Sequence, residues 1–452
     1  MERMRMVTCL VGICCVFANT GAFAAATDDV ISEARAKLRQ AVEKARNGSM
    51  GELSSIAESV RRKDSPFSKG EFQPEFLSLL KDQNGCVQLY AVQSLMMFRN
   101  VATRDALCEY LRNRDFAKLR ALTEGTPART DEAGYSIFEC MAVSWAVLTL
   151  AEIGDRSVIP LLSDLRDDVT WDAEWVGRPV ERALGKLGAV RVLANTPPNA
   201  GQRQIEEASA AISGVRDPNC VPELMAVVRE GKVQERFRLS ALSALGQFNL
   251  PEASRLLADI MNDPNAPMGF RKTAAMSAGK TGDKTIEASV LAHASDPKSP
   301  LRTHAFMGLV QGTPDRYLSK WFDAMMDPNE DLAFRKSLIG WDEYIPRDKL
   351  HARKQDLYRC LQAAERNGRP IDEIRTRMWC KICDFFGEEP ALVLTTKDRS
   401  ITGNMRSRLE RRMIQNNQRV SPFEQRTLVD EKIDKLVTVY NPRTGSIPGR
   451  NR

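Results

Sequence analysis

Histidine is nearly missing from these 452 residues: His293, His304 and His351 are the only three, and they show no metal-ligand spacing. A G-x-S-x-G nucleophile elbow is missing too, although a nucleophile–His–acid set at other spacings stays open. No segment alternates apolar and polar residues for long enough to require a sheet. Beyond the N-terminal segment, no apolar run is long enough to cross a membrane. Charge of either sign is not in large excess. Sixty-five Lys and Arg against 59 Asp and Glu leave +6, so bulk attraction to nucleic acid does not follow.

What is present is an ordinary globular balance, 43% hydrophobic and 27% charged. The length holds about two to four domains, or one extended array. The N-terminus is distinctive. Arg3 and Arg5 precede an uncharged stretch from Met6 to Thr27, which ends in the small-residue step Ala22-Phe23-Ala24. That order is the pattern of a secretory signal peptide over residues 1–24, cleaved after Ala24. The alternative is an uncleaved membrane anchor, since the uncharged stretch is nearly long enough to span a bilayer. Ile13 before Cys14 spoils a lipoprotein-type box. Without the leader, seven cysteines remain. An odd, sparse set does not build a disulfide framework, and most lie in apolar helical patterns as small buried hydrophobes.

Internal repetition decides the fold class. "TLAEIGD", "ALGKLGA", "ALGQFNL" and "SAGKTGD" each end an apolar helical run with small residues and a turn. Taking Ala151, Gly185, Gly214, Gly246, Gly279 and Val310 as equivalent gives steps of 34, 29, 32, 33 and 31. Arg238, Arg271, Arg302 and Arg335 keep the same beat, with Ala241, Ala274 and Ala305 three residues after the first three. Asp-Pro recurs at 263–264, 296–297 and 327–328, where proline closes a helix. The unit is helix, short turn, helix, Asp-Pro loop. One such pair cannot bury its apolar faces alone, but a stack of pairs can. The expected class is all-α, an α-α superhelix with C-terminal capping helices.

These R-x-x-A-x-x-A-L-G, G-D and D-P features resemble the HEAT repeat, in the short form also found in phycobilisome-lyase-type proteins. The tetratricopeptide signature is missing. The resemblance implies an armadillo-type solenoid and a ladder between each repeat arginine and the Asp-Pro aspartate. It also implies protein–protein interaction on an extended concave surface, without turnover. By the same resemblance, the alternative is a lyase-like enzyme or enzyme subunit.

The expected organisation is a leader (1–24), an N-terminal helical cap (25–79), the repeat array (80–345) and a C-terminal helical cap (346–398). A basic helical segment, a terminal helix and a disordered tail complete it (399–452). Within the array, "TEGTPARTDEAGYS" (123–136) reads as a polar insertion. A second insertion, acidic and tryptophan-bearing, carries Trp171, Asp172, Glu174 and Trp175, candidates for partner binding. It lacks the ordered ligand spacing of a calcium loop. Near the C-terminus, Arg408, Arg411 and Arg412 belong to a basic helix suited to an acidic partner or an anionic membrane surface. Val429, Ile433, Leu436, Val437 and Tyr440 are expected to line one face of the last helix.

Two motifs suggest chemistry. Ala274 to Thr281 reads A-x-x-x-x-G-K-T, one residue from a phosphate-binding loop. A true loop of that kind follows a strand and opens a helix, whereas a helical run precedes Gly279. The motif is therefore an inter-helix turn of the repeat. Trp379-Cys380-Lys381-Ile382-Cys383 resembles the W-C-x-x-C redox box, but the apolar spacing around it places both cysteines mid-helix, away from any activating helix end. They are read as buried structural thiols, with a local disulfide as the alternative. No cofactor is implied. The leader predicts a mature chain starting at Ala25, which intact-mass measurement of the protein purified from its host checks. A mass that retains residues 1–24 would favour the anchor.

Overall fold

The computed structural model describes residues 28–114, 131–168, 176–327, 329–340, 344–362, 369–394, 399–415 and 422–439. They form two compact units. One takes in the described residues up to Ala189 with Ala200–Glu207, and the other Val190–Asn199 with the described residues from Ala208 onward. The division falls within the span read as the repeat array. Among the described residues, no helix is long and apolar enough to cross a membrane.

The first unit runs α1 (Asp28–Arg46), α2 (Gly51–Ser59), α3 (Gln73–Leu79), α4 (Gly85–Leu95), α5 (Val101–Arg112), α6 (Asp131–Ile153), α7 (Ile159–Asp168) and α8 (Gly177–Lys186). Side chains fix the helix starts. Asn84 accepts from the Cys86 and Val87 amides, and Asn100 accepts from Thr103, each satisfying donors the helix leaves open. Helices α4 and α6 form the core of this unit, with Val87, Val92, Leu95, Val143, Ala146 and Leu150 fully buried. Residues 131–136, read as part of a polar insertion, instead open α6, where the apolar run that begins at Ile137 continues the helix.

The second unit begins with α9 (Val190–Ala194), α10 (Gln202–Ser213, whose last turn it holds) and α11 (Val221–Arg229). Three pairs follow: α12 (Glu235–Leu245) with α13 (Pro251–Asn262), α14 (Met268–Thr281) with α15 (Lys284–Ser295), and α16 (Arg302–Gly312) with α17 (Pro314–Met326). These are HEAT-like helix pairs. Helices α18 (Leu332–Gly340), α19 (Arg347–His351), α20 (Lys354–Gln362), α21 (Arg369–Phe386), α22 (Arg399–Gln415) and α23 (Pro422–Leu436) complete the unit.

Aspartates mark two kinds of turn in the repeats. At the turn inside a unit, Asp283 accepts from the Thr285 amide at 2.8 Å, and Asp155 and Asp217 do the same for Ser157 and Asn219 at 2.9 Å. After the second helix, Asp263, Asp296 and Asp327 accept from the amide two residues on, at 2.8, 2.9 and 2.9 Å. These are local Asx turns. They overturn the expected arginine–aspartate ladder.

The arginines instead reach back ten residues to the end of the preceding second helix. Arg238 Nε donates to the Val228 carbonyl at 3.0 Å, Arg271 Nε to Met261 at 3.2 Å, and Arg335 Nε to Met325 at 2.9 Å. The last carbonyls of a helix lack partners and form its negative end, so a guanidinium there satisfies both needs. Arg302 departs from the pattern, pairing with both Glu330 oxygens at 2.8 and 2.7 Å. Arg238 and Arg302 also lie over the Phe270 and Phe334 rings, at 4.7 and 3.9 Å from the centroids.

Successive first helices meet backbone to backbone. A Cβ on Gly246 would come within 2.8 Å of Ser277, and one on Gly279 within 2.6 Å of the Gly308–Leu309 peptide. Gly308 faces the Met276 carbonyl and Gly312 the Gly279 carbonyl, with room for no methyl at either. Ala241, Ala274 and Ala305 are fully buried on the same helices. Gly279-Lys280-Thr281 is therefore the last turn of α14 rather than the turn after it. Gly282, at φ 68°, makes the left-handed cap.

One expectation fails at the C-terminus. Leu392–Leu394 (β1) and Val437–Val439 (β2) pair as a short parallel ladder, with Leu392 opposite Val437. Val437 thus leaves the helix and enters a strand. Three residues are too few for a period-two pattern to register in the sequence. Trp379 supports the approach to β1, donating from Nε1 to the Pro390 carbonyl at 2.8 Å.

Two glycines of α14 give opposite expectations. Gly279→Ala gains about 1 kcal/mol of helix propensity but forces an overlap that costs about 1–3 kcal/mol. Net destabilisation follows in urea unfolding. A Cβ at Gly269 meets open space, so Gly269→Ala should be neutral or stabilising. The reverse order would remove the close-contact account.

Candidate functional site

Trp171, Asp172, Glu174 and Trp175 lie outside the described residues. Their flanks carry a buried ion pair. Arg166 Nε of α7 donates to Glu181 Oε1 of α8 at 2.7 Å, with side chains 4% and 0% exposed. Glu181 Oε2 has no hydrogen-bond partner. Burial pushes the Glu181 carboxyl up to about 7 even beside Arg166.

Cys380 and Cys383 are buried thiols in the interior of α21, not joined in a disulfide. Desolvation pushes Cys380 up to about 11, against the opposing charges of Arg408, Arg377 and Arg411. A redox thiol needs the opposite shift. In the basic helix α22, Arg408 pairs with Asp384 of α21 and Arg406 with Asp430 of α23. Arg411 is exposed and donates to the Ser407 carbonyl one turn back, at 3.2 Å. The Arg412 side chain lies outside the described residues. Of the three arginines read as meeting a partner or membrane, Arg408 is thus ion-paired within the fold, as is Arg406 on the same helix.

The histidines are dispersed. His293 places Nδ1 3.0 Å from Ser299 Oγ and Nε2 3.1 Å from Asn262 Oδ1, joining α13, α15 and the Asp-Pro loop. Among the described residues, no three His, Cys, Asp or Glu side chains group as metal ligands.

The structure gathers a different set of charges, which sequence reasoning missed. Helices α14, α16 and α18 contain no Asp or Glu. The second helices α13, α15 and α17 do, with Glu252, Asp259, Glu287, Asp315 and Asp323. Lys272, Met276 and Lys280 form one half-buried stripe along α14. Lys280 lies near Arg216, and burial followed by that like charge lowers its ammonium pKa. Lys272 lies near His304 of α16, whose pKa is lowered by burial and then by Lys272. Lys272, Lys280 and Arg216 have no carboxylate partner among the described residues. The signal was available in the sequence: once the repeat phase is known, consecutive first helices are seen to lack acids.

No family model and no curated protein matches the chain. Eleven chains of solved structures match. One of them comes from a structure of the Pds5–Scc1 complex, described with its implications for cohesin function. It covers 88% of this chain and 67% of its own length at 13% identity and a TM-score of 0.27. At that score the likeness carries no argument, and the HEAT-like assignment rests on the helix pairs themselves.

The raised Glu181 pKa has a stability consequence. Folding holds a proton that the unfolded chain releases near the ordinary 4.5, so this contribution is complete below that pH and lost as pH rises through about 7. Thermal melts of the wild-type chain between pH 4.5 and 7.5 should show a decline that flattens in Glu181→Gln. Matching slopes in the two proteins would remove Glu181 as the titrating group.

Proposed function

We propose that this chain is an exported scaffold of the bacterial cell envelope that binds protein partners and performs no turnover. The observation that carries the reading is the run of helix pairs from α12 to α17. Glycine contacts fix the first helices at backbone distance and leave a line of half-buried side chains along them. A repeated, rigid surface of this kind suits an extended polypeptide partner. The leader supports export. Burial of the Cys380–Cys383 pair supports a structural role for those thiols, and the pairing of Arg406 and Arg408 within the fold weakens the membrane-tether alternative.

Crosslinked affinity capture from the native host tests the reading. The expected result is a small set of envelope proteins enriched with the tagged wild type and lost when the same protein is thermally unfolded before capture. Equal recovery from folded and unfolded bait would count against a scaffold.

A further inference from the structure

We propose that the first-helix face of α12, α14, α16 and α18 is the docking surface, and that it receives an acidic segment of the partner protein. This rests on the scaffold reading and adds the place and the chemistry.

The argument begins with charge placement. A solvated face normally mixes both signs, and the second helices of this unit do so. Helices α14, α16 and α18 instead carry no acid. With Arg302 paired to Glu330 and Arg271 and Arg335 bonded to helix-end carbonyls, Lys272 and Lys280 of α14 are left without a carboxylate partner among the described residues. The backbone contacts at Gly246, Gly279 and Gly308 bring α12, α14 and α16 as close as helices can pack. Lys280 lies near Arg216, in the turn after α10, and Lys272 lies near His304 of α16.

Half-burying an ammonium beside a like charge is unfavourable without compensation. The C-terminal dipole of α14 offsets part of that at Lys280, which lies in the last turn. It does nothing for Lys272, in the first turn and a half, where the helix end is positive. An incoming carboxylate would offset the Lys280–Arg216 repulsion and give Lys272 a partner of opposite sign.

The face between the cations chooses the kind of polyanion. Leu239, Met276 and Thr303 are its half-buried surface, while Phe237, Phe270, Phe306 and Phe334 are turned into the core. Among the described residues of this face, no Phe, Tyr or Trp ring is open for a base to stack on, as single-stranded nucleic acid recognition favours, and His304 is half-buried. Aliphatic and thioether groups between lysines suit a peptide that alternates acidic and apolar residues.

The test uses the full mature chain and a fluorescein-labelled twelve-residue Glu/Leu peptide in anisotropy titrations. A Lys/Leu peptide and a twelve-nucleotide single-stranded DNA serve as comparators. The acidic peptide should bind, weaken with added salt, and lose roughly fivefold or more in affinity with Lys272→Gln plus Lys280→Gln. Lys298→Gln, in an exposed Asp-Pro loop, should change nothing. Circular dichroism melts establish that the double variant folds, and single Lys272→Gln stands in if it does not. Unchanged peptide affinity in the folded variant, or tighter binding of the DNA, overturns the proposal. Host capture with the double variant separates the two readings. Partners kept by the variant leave the scaffold standing without this face, whereas partners missing from wild type as well defeat the scaffold reading itself.

Discussion

The second unit depends on the approach of one polypeptide backbone to another at glycine. Where Gly279 meets the Gly308–Leu309 peptide there is no side chain between α14 and α16. Separation at such a contact is set by main-chain atoms and not by the size of packed groups. Everything else in the repeats is registered to that spacing. It lets a guanidinium lie over the phenylalanine of the next pair, and it lines up the outer side chains of neighbouring helices. The motif that resembles a phosphate-binding loop lies in the middle of this contact. Its glycine serves helix packing, and its lysine and threonine end a helix, so the open N–H groups that cradle a phosphate at a helix start are not there.

Much of the fold was legible because repetition multiplies weak signals. The steps near thirty-two residues, the small residues and the Asp-Pro stops place the helix pairs, and helices ending at Asn262, Ser295 and Met326 stop just before each Asp-Pro. The arginine beat was legible as a pattern but not as an interaction. A sequence shows that Arg238 and Asp263 both recur; it does not show that the aspartate is occupied by its own backbone and the arginine by a helix end. The β1–β2 ladder escaped because three residues carry no period, and pairing across more than forty residues leaves no local trace. The polar insertion ended sooner than its composition implied, since Asp131–Ser136 can extend a helix driven by the apolar residues that follow.

The candidate site divides in the same way. Burial of Cys380 and Cys383 followed from apolar spacing on α21. The arginines of α22 looked free because their partners, Asp384 and Asp430, come from other helices. The first-helix cations were visible one at a time as ordinary surface lysines. Only the stacking order makes them neighbours, and only the missing acids make them a surface. From α14 to α18 the acids lie on the second helices and not on the first, and the total of +6 conceals this.

The reach of Arg238 has a consequence for how the array comes apart. Its guanidinium holds the end of α11 and lies over Phe270 of α14, so one side chain on α12 touches the pair before it and the pair after it. In an array joined only by contacts between adjacent faces, a terminal unit can fray while the rest stays folded. Here the loss of one pair also removes a capping donor or a stacked cation from its neighbours. Melting of α12 therefore weakens both sides at once, and these repeats are wired to unfold together rather than to peel from an end.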